Sequence, residues 1–179
     1  YPCVAILTSS DCVARDQVIG HTKVLGTLDR AFATDRVSHA YLITGPPHIG
    51  KMMVAKVLAR QLNCLGDGRR CDNCDQCCRI SRGVHTDVVV VSVDTEGLLH
   101  EDGKPRTMIT LEQVREVSRD AVLRPFEGRH RVFIFEDADR VTEEASNALL
   151  KTLEEPPSEV VIVLLSSDLK AVLPTIVSR

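Results

Sequence analysis

Four cysteines, Cys64, Cys71, Cys74 and Cys77, fall in the spacing C-x6-C-x2-C-x2-C. Thiolates are soft donors, and four of them suit tetrahedral Zn²⁺ in a closed site with no position left open for catalysis. Disulfides are the competing use of clustered cysteines, favoured in oxidising compartments and rare in reducing ones. The C-x2-C-x2-C run is shared with bacterial ferredoxins, whose fourth cysteine comes three residues later, before a proline. Here Cys77 is followed by Cys78-Arg79-Ile80, so that ligand is missing. Zinc is the expected metal, held in an insertion over about residues 64–78, with Cys78 as a spare neighbour. Cys3 and Cys12 stand apart and read as small apolar residues.

A second stretch, Gly45-Pro46-Pro47-His48-Ile49-Gly50-Lys51, fits the phosphate-binding pattern G-x-x-x-x-G-K. In that pattern backbone N–H groups at a helix N-terminus cradle phosphate, and the lysine reaches the terminal phosphates. A bare turn is the alternative, but an apolar strand before the loop and an amphipathic helix after it are the context phosphate binding requires. Met52 breaks the pattern where Ser or Thr normally supplies the hydroxyl that binds Mg²⁺. A thioether is a poor ligand for a hard cation that takes oxygen donors. Downstream, the apolar run Val132-Phe133-Ile134-Phe135 ends in Glu136-Asp137. P-loop ATPases end such a strand in Asp, which holds Mg²⁺, and in many of them a Glu follows. The two acids stand here in reversed order. A one-methylene shift moves a carboxylate by about 1 Å, enough to matter where catalysis is positioning. ATP or ADP is therefore expected to bind weakly, with Mg²⁺ placement in doubt and hydrolysis poor or absent.

The elements that must position these groups alternate. Helical spacing covers about Thr22 to Arg36, and Ala40–Thr44 is a short strand running into the glycine loop. Val54 to Leu62 continues as an apolar-faced helix, and Asp87-Val88-Val89-Val90-Val91 reads as a fully buried strand. Residues 97–106 read as a polar loop. Thr110 with Gln113 makes a capping box for a helix to about Val122, and Thr142 caps another to about Leu153. Glu154-Glu155-Pro156-Pro157 stops that helix before the strand Val160 to Leu165. Strands alternating with helices imply right-handed crossovers and a parallel sheet covered on both faces.

Composition sets bounds on function. The 179 residues suit one domain, and 44% hydrophobic with 26% charged residues is ordinary for a globular protein. A net charge of −3 gives no global attraction to nucleic acid, so any DNA contact is local or supplied by partners. No apolar run approaches the roughly 18 residues of a membrane span. The start, YPCVAILTSSDCVAR, has no basic region before its apolar patch, so a signal peptide is not expected and the cytoplasm is. That start also lacks a Met, as a fragment would.

Taken together, SHAYLITGPPHIGK, the four-Cys insertion after the P-loop helix, LRPFEGRHRVFIFEDADR, NALLKTLEEPP and LPTIVSR resemble a bacterial clamp-loader subunit. This is the AAA+ family of the DNA polymerase III holoenzyme, a DNA-directed DNA polymerase. The likeness runs from about Gln17 to Arg179. The long loop before TLEQVRE and the ADR after the acids look more like delta-prime than gamma/tau, whose members carry Thr after the P-loop Lys and an Asp-Glu pair.

The resemblance implies an α/β P-loop NTPase (AAA+) core over residues 16–179, a parallel sheet flanked by helices with a small zinc-binding insertion. Residues 1–15 are then a tail, and the lid and collar domains are absent from this chain. It implies partners: gamma/tau and delta subunits, the sliding clamp, and primer–template DNA through the assembled complex, with no membrane. It adds Ser166 to the nucleotide-binding set of Gly45 to Met52, and it marks Arg179 as an arginine finger acting in trans on a neighbour's site. Other readings are an active gamma/tau-type motor, a free-standing P-loop kinase and a zinc-based DNA-binding module. The kinase lacks a second-substrate site. The module has only Arg69, Arg70, Arg79 and Arg82 near the cysteines and no aromatics.

Overall fold

A computed structural model of the chain describes residues 21–34, 36–66, 71–93 and 107–177. Among these residues four strands, β1 (Ala40–Thr44), β2 (Val88–Val91), β3 (Arg131–Phe135) and β4 (Val160–Ser166), form one sheet in the order β1-β4-β3-β2, all parallel. Among the described residues six α-helices accompany them: α1 (Thr22–Ala33), α2 (Lys51–Asn63), α3 (Asp75–Arg82), α4 (Leu111–Ala121), α5 (Glu143–Glu154) and the short α6 (Pro174–Val177). This is the expected parallel α/β arrangement.

The sheet's two faces follow from the period of two along its central strands. Val132 and Ile134 of β3, with Val161, Val163 and Leu165 of β4, pack with Val54, Leu58 and Leu62 of α2 and Ile80 of α3. The alternate residues Phe133, Phe135, Ile162 and Leu164 pack with Val114 and Val117 of α4 and Leu149 and Leu153 of α5. All seven residues of β4 are buried, as a central parallel strand requires. β2 departs from expectation: three of its four valines are only half-buried, because it lies at the edge of the described sheet.

Local signals set most boundaries. Gln113 Oε1 accepts from the Thr110 N–H at 3.0 Å, completing the capping box of α4. Thr142 Oγ1 accepts from the Ala145 N–H at 3.3 Å and starts α5. α1 stops at Ala33, earlier than expected, where the Thr34 hydroxyl bonds the Arg30 carbonyl at 2.8 Å. α2 begins a turn earlier than its apolar pattern, at Lys51 itself. The expected loop at 97–106 and the tail at 1–15, with Cys3 and Cys12, lie outside the described residues. Among the described residues no helix is long and apolar enough to cross a membrane.

Candidate functional site

The carboxyl ends of β1, β3 and β4 converge on one cleft, the usual place for a ligand in an open parallel sheet. It has a volume of about 400 Å³, and its lining includes His48, Lys51, Met52, Glu136, Asp137 and Ser167. The P-loop and the reversed acid pair are thus brought together.

The loop leaves β1 at Gly45, whose N–H donates to the Ser166 carbonyl at 3.2 Å. Gly45 has φ +156°, a backbone conformation that side-chain-bearing residues rarely adopt, so glycine relieves strain where the loop leaves the strand. His48 takes the left-handed conformation at φ 62°. From the start of α1, His21 Nε2 lies 2.6 Å from the Ile49 carbonyl oxygen and ties that helix to the loop. Lys51 is nearly buried, and its ammonium donates to the carbonyls of Gly45 and Pro46 at 2.8 and 2.9 Å and to Ser167 Oγ at 3.2 Å. Met52 is partly buried at the cleft wall and packs toward the α2 side of the core. No hydroxyl replaces it on the loop.

Glu136 is exposed and Asp137 partly so, both at the end of β3. Ser166 is fully buried, and its hydroxyl closes a local turn: it donates to the Asp168 carbonyl at 2.8 Å and accepts from the Asp168 N–H at 3.1 Å. The hydroxyl that lines the cleft belongs to Ser167, and the Ser167 N–H donates to Asp139 Oδ1 at 3.2 Å. Neither Ser167 nor Asp139 was singled out by sequence reasoning. The signal available was Ser-Ser-Asp after the strand, where the first serine, two before Asp168, is the one poised for a side-chain turn. Arg179 lies outside the described residues.

The second site lies at the other end of α2. Cys64 caps the helix, Cys71 follows in the loop, Cys74 is the N-cap of α3, and Cys77 sits in its first turn. The four sulfurs lie within 4.8 Å of one another, and all four thiols are free. Cys78 stands outside the group. Backbone N–H groups already point at the sulfurs: Gly66 and Cys71 at Cys64 Sγ (3.3 and 3.5 Å), Cys74 at Cys71 Sγ (3.4 Å). For Cys71, burial opposes ionisation, but the bonds from Cys64, Asn73 and Cys74 overcome it and draw the thiol down to about 6. Burial, reinforced by the neighbouring sulfurs, pushes Cys77 up. A divalent cation would remove that mutual repulsion, and four convergent sulfurs with N–H support fit a closed tetrahedral zinc site.

The chain is similar to proteins of bacterial replication. Residues 20–179 match the family model described as DNA polymerase III, delta subunit. The gamma subunit of Buchnera aphidicola is 33% identical over 165 residues, covering 90% of this chain and 42% of that protein. The gamma/tau subunit of Mycobacterium tuberculosis is 34% identical over 165 residues, covering 91% of this chain and 27% of that one. The chain therefore spans less than half the length of these curated relatives. Among solved structures, a gamma subunit-related protein of Thermotoga maritima superposes with a TM-score of 0.61 at 26% identity, over 87% of this chain and 43% of the other. The RuvB Holliday junction branch migration motor of Thermotoga maritima shares the fold at a TM-score of 0.53 and 14% identity, over 96% of this chain and 47% of its own. With its P-loop cleft, four-cysteine cluster and parallel sheet, this chain belongs to the DNA polymerase III delta-subunit family, related to the gamma/tau subunits.

Proposed function

We propose that the chain is the AAA+ core, residues 16–179, of a delta-prime-type clamp-loader subunit that helps place the sliding clamp on primed DNA. The observation that carries this reading is a family match over nearly the whole chain, combined with a P-loop cleft in which Met52 stands where the metal-binding hydroxyl would be. The cleft keeps what holds phosphate, a P-loop turn and Lys51, and lacks what places Mg²⁺. Phosphoryl transfer depends on that placement, so the subunit binds nucleotide weakly and turns it over little. It acts on a neighbour instead: Arg179 supplies a guanidinium to the adjacent ATPase site. Zinc at Cys64, Cys71, Cys74 and Cys77 is structural. The partners are gamma/tau and delta subunits and the clamp, with DNA met through the assembled complex in the cytoplasm.

An active motor of gamma/tau type is the second reading, favoured by the gamma and gamma/tau relatives. Co-purification of the full-length protein, followed by ATPase assay with and without the other subunits, separates the two. Stable association with negligible turnover alone supports the proposal. Turnover by the isolated subunit comparable to an ordinary P-loop ATPase assigns it the motor role.

A further inference from the structure

We infer that Arg60 is the charge-compensating residue of the four-cysteine centre, a buried guanidinium that α2 holds against both halves of the insertion so that a zinc ion bound by four thiolates can sit there. This inference rests on the zinc reading above. Arg60 is 3% exposed, and a guanidinium keeps its charge in any protein setting, so a full positive charge is buried here. Such burial is costly unless negative charge lies close by.

Spacing places that charge beside the cysteines. Arg60 stands four residues before Cys64, one helical turn back along the same face of α2. Its Nη1 lies 3.3 Å from Asp72 Oδ1 and donates to Ser81 Oγ at 3.5 Å. Asp72 follows Cys71 directly and takes the left-handed conformation at φ 51°. Ser81 stands one turn after Cys77 on α3, and its hydroxyl donates to the Cys77 carbonyl at 2.9 Å. One guanidinium is thus tied to the segments that carry three of the four sulfurs. Lys56, one turn earlier on α2, adds a second cation and donates to the Ser81 carbonyl at 3.4 Å.

Charge decides what this arrangement does. Zinc with four thiolates keeps two uncancelled negative charges. Cys64 and Cys77 are buried, so water screens them little, and the backbone N–H groups at Cys64 and Cys71 bring only partial charges. Asp72 is the more exposed member of its ion pair, with 29% of its side chain accessible against 3% for Arg60. Water therefore screens the anion more than the cation, and the guanidinium is left to offset the sulfurs. A pair that only tied α2 to the insertion could be replaced by apolar residues of similar volume, often without loss.

Competition for Zn²⁺ between the full-length protein and a chromophoric chelator tests the inference, and Co²⁺ in place of zinc reports thiolate ligation. Arg60→Met keeps a stem without the charge and should weaken zinc binding about ten- to a hundredfold, the usual effect of removing a group that supports metal ligands. Arg60→Lys, which keeps the charge, should recover most of that loss. Asp72→Asn separates compensation from a mere tie, because asparagine still offers an acceptor and tolerates the left-handed conformation while an anion is removed. It should bind zinc at least as tightly as wild type, and Arg60→Met should weaken binding in that background too. Equal zinc affinity of wild type and Arg60→Met overturns the inference and leaves the zinc reading standing. So does an Asp72→Asn protein that loses about tenfold or more in affinity, a result that can be read even if Arg60→Met does not fold. Loss of the Co²⁺–thiolate bands in Arg60→Met places the fault in ligand geometry and also overturns it. A wild-type protein that binds no zinc overturns both readings.

Discussion

Asn63 and Asp87 divide between them the backbone N–H groups of residues 126–130. Asp87 Oδ1 accepts from Phe126 at 2.7 Å, and its Oδ2 from Glu127 and Gly128 at 2.8 and 2.7 Å. Asn63 Oδ1 accepts from Arg129 and His130, both at 2.8 Å. Asn63 ends α2 immediately before Cys64, and Asp87 leads into β2. From α3, Gln76 Nε2 donates to the Glu127 carbonyl, and Arg79 pairs with the Glu127 carboxylate. The loop entering β3 and the cysteine insertion are therefore one mechanical unit.

Asp87 is buried, which opposes ionisation, yet the three N–H groups outweigh that and hold its carboxyl below the ordinary value. A folded-state pKa lowered in this way stabilises the protein above the unfolded carboxylate range. That contribution fades as pH falls through the folded value. Asp87→Asn turns an amide NH₂ toward N–H donors and should cost about 2–3 kcal/mol at pH 7. Denaturant unfolding at pH 7 and near pH 3 checks this: the gap between wild type and variant should shrink in acid, and no gap at pH 7 would refute the account.

Gly128→Ala tests the same unit from the other side. A Cβ there would lie 2.5 Å from Asn63 Oδ1 and 3.3 Å from Asp87 Oδ2, so the carboxamide must move and release its two N–H donors. A loss of about 1–3 kcal/mol is expected by the same denaturant measurement, in the range of a broken buried hydrogen-bond network. A neutral substitution would show that the loop relaxes freely.

One zinc per chain is expected in protein purified without added metal, measured by elemental analysis. Cys74→Ser should abolish it and Cys78→Ser should not, because only the former sulfur is among the four that converge. Less than half an equivalent of zinc, or an iron–sulfur absorbance, would sink the assignment. Because Asn63 adjoins Cys64, chelation should also loosen the loop at 126–130, read as faster amide exchange there.

The sheet and the cleft were legible in the sequence because each rests on local signals. Apolar runs marked β3 and β4, Thr110 with Gln113 marked α4, and the loop after β1 fits a spaced motif. α3 was not legible: DQCCRISR is short and polar, with only Gln76, Cys77 and Ile80 buried. Its helix is stabilised by packing on α2, which periodicity does not report. The half-buried β2 was misread for a related reason, since an all-valine strand looks the same at an edge as at the centre. The choice between Ser166 and Ser167 depended on a turn closed after the strand had ended. The sharing of one loop by Asn63 and Asp87 is a contact between distant segments, and no spacing rule announces it.

Met52→Thr asks whether the hook alone is missing. The substitution returns a hydroxyl at the first turn of α2, beside Glu136 and Asp137. Nucleotide affinity should become dependent on Mg²⁺, while turnover stays low, because the acid pair remains reversed. Unchanged affinity in Mg²⁺ would show that position 52 does not decide metal placement.

Arg179 and Lys51 serve different active sites under the proposed function, and that makes an asymmetric demand on a reconstituted complex of full-length subunits. A guanidinium stays charged and offers a rigid fork of donors to a transferring phosphate, so a finger acting in trans contributes to the neighbour's rate and not to its own subunit's. Lys51 belongs to a cleft that turns over little nucleotide. Arg179→Ala should therefore cut clamp- and DNA-stimulated ATPase activity, the neighbour's site losing about a hundredfold or more as for loss of one charge-stabilising donor, with assembly intact by gel filtration. Lys51→Ala should leave that activity within about twofold of wild type. Full activity of Arg179→Ala would remove it from the mechanism. A large loss in Lys51→Ala would mean that this subunit's own cleft works as a motor.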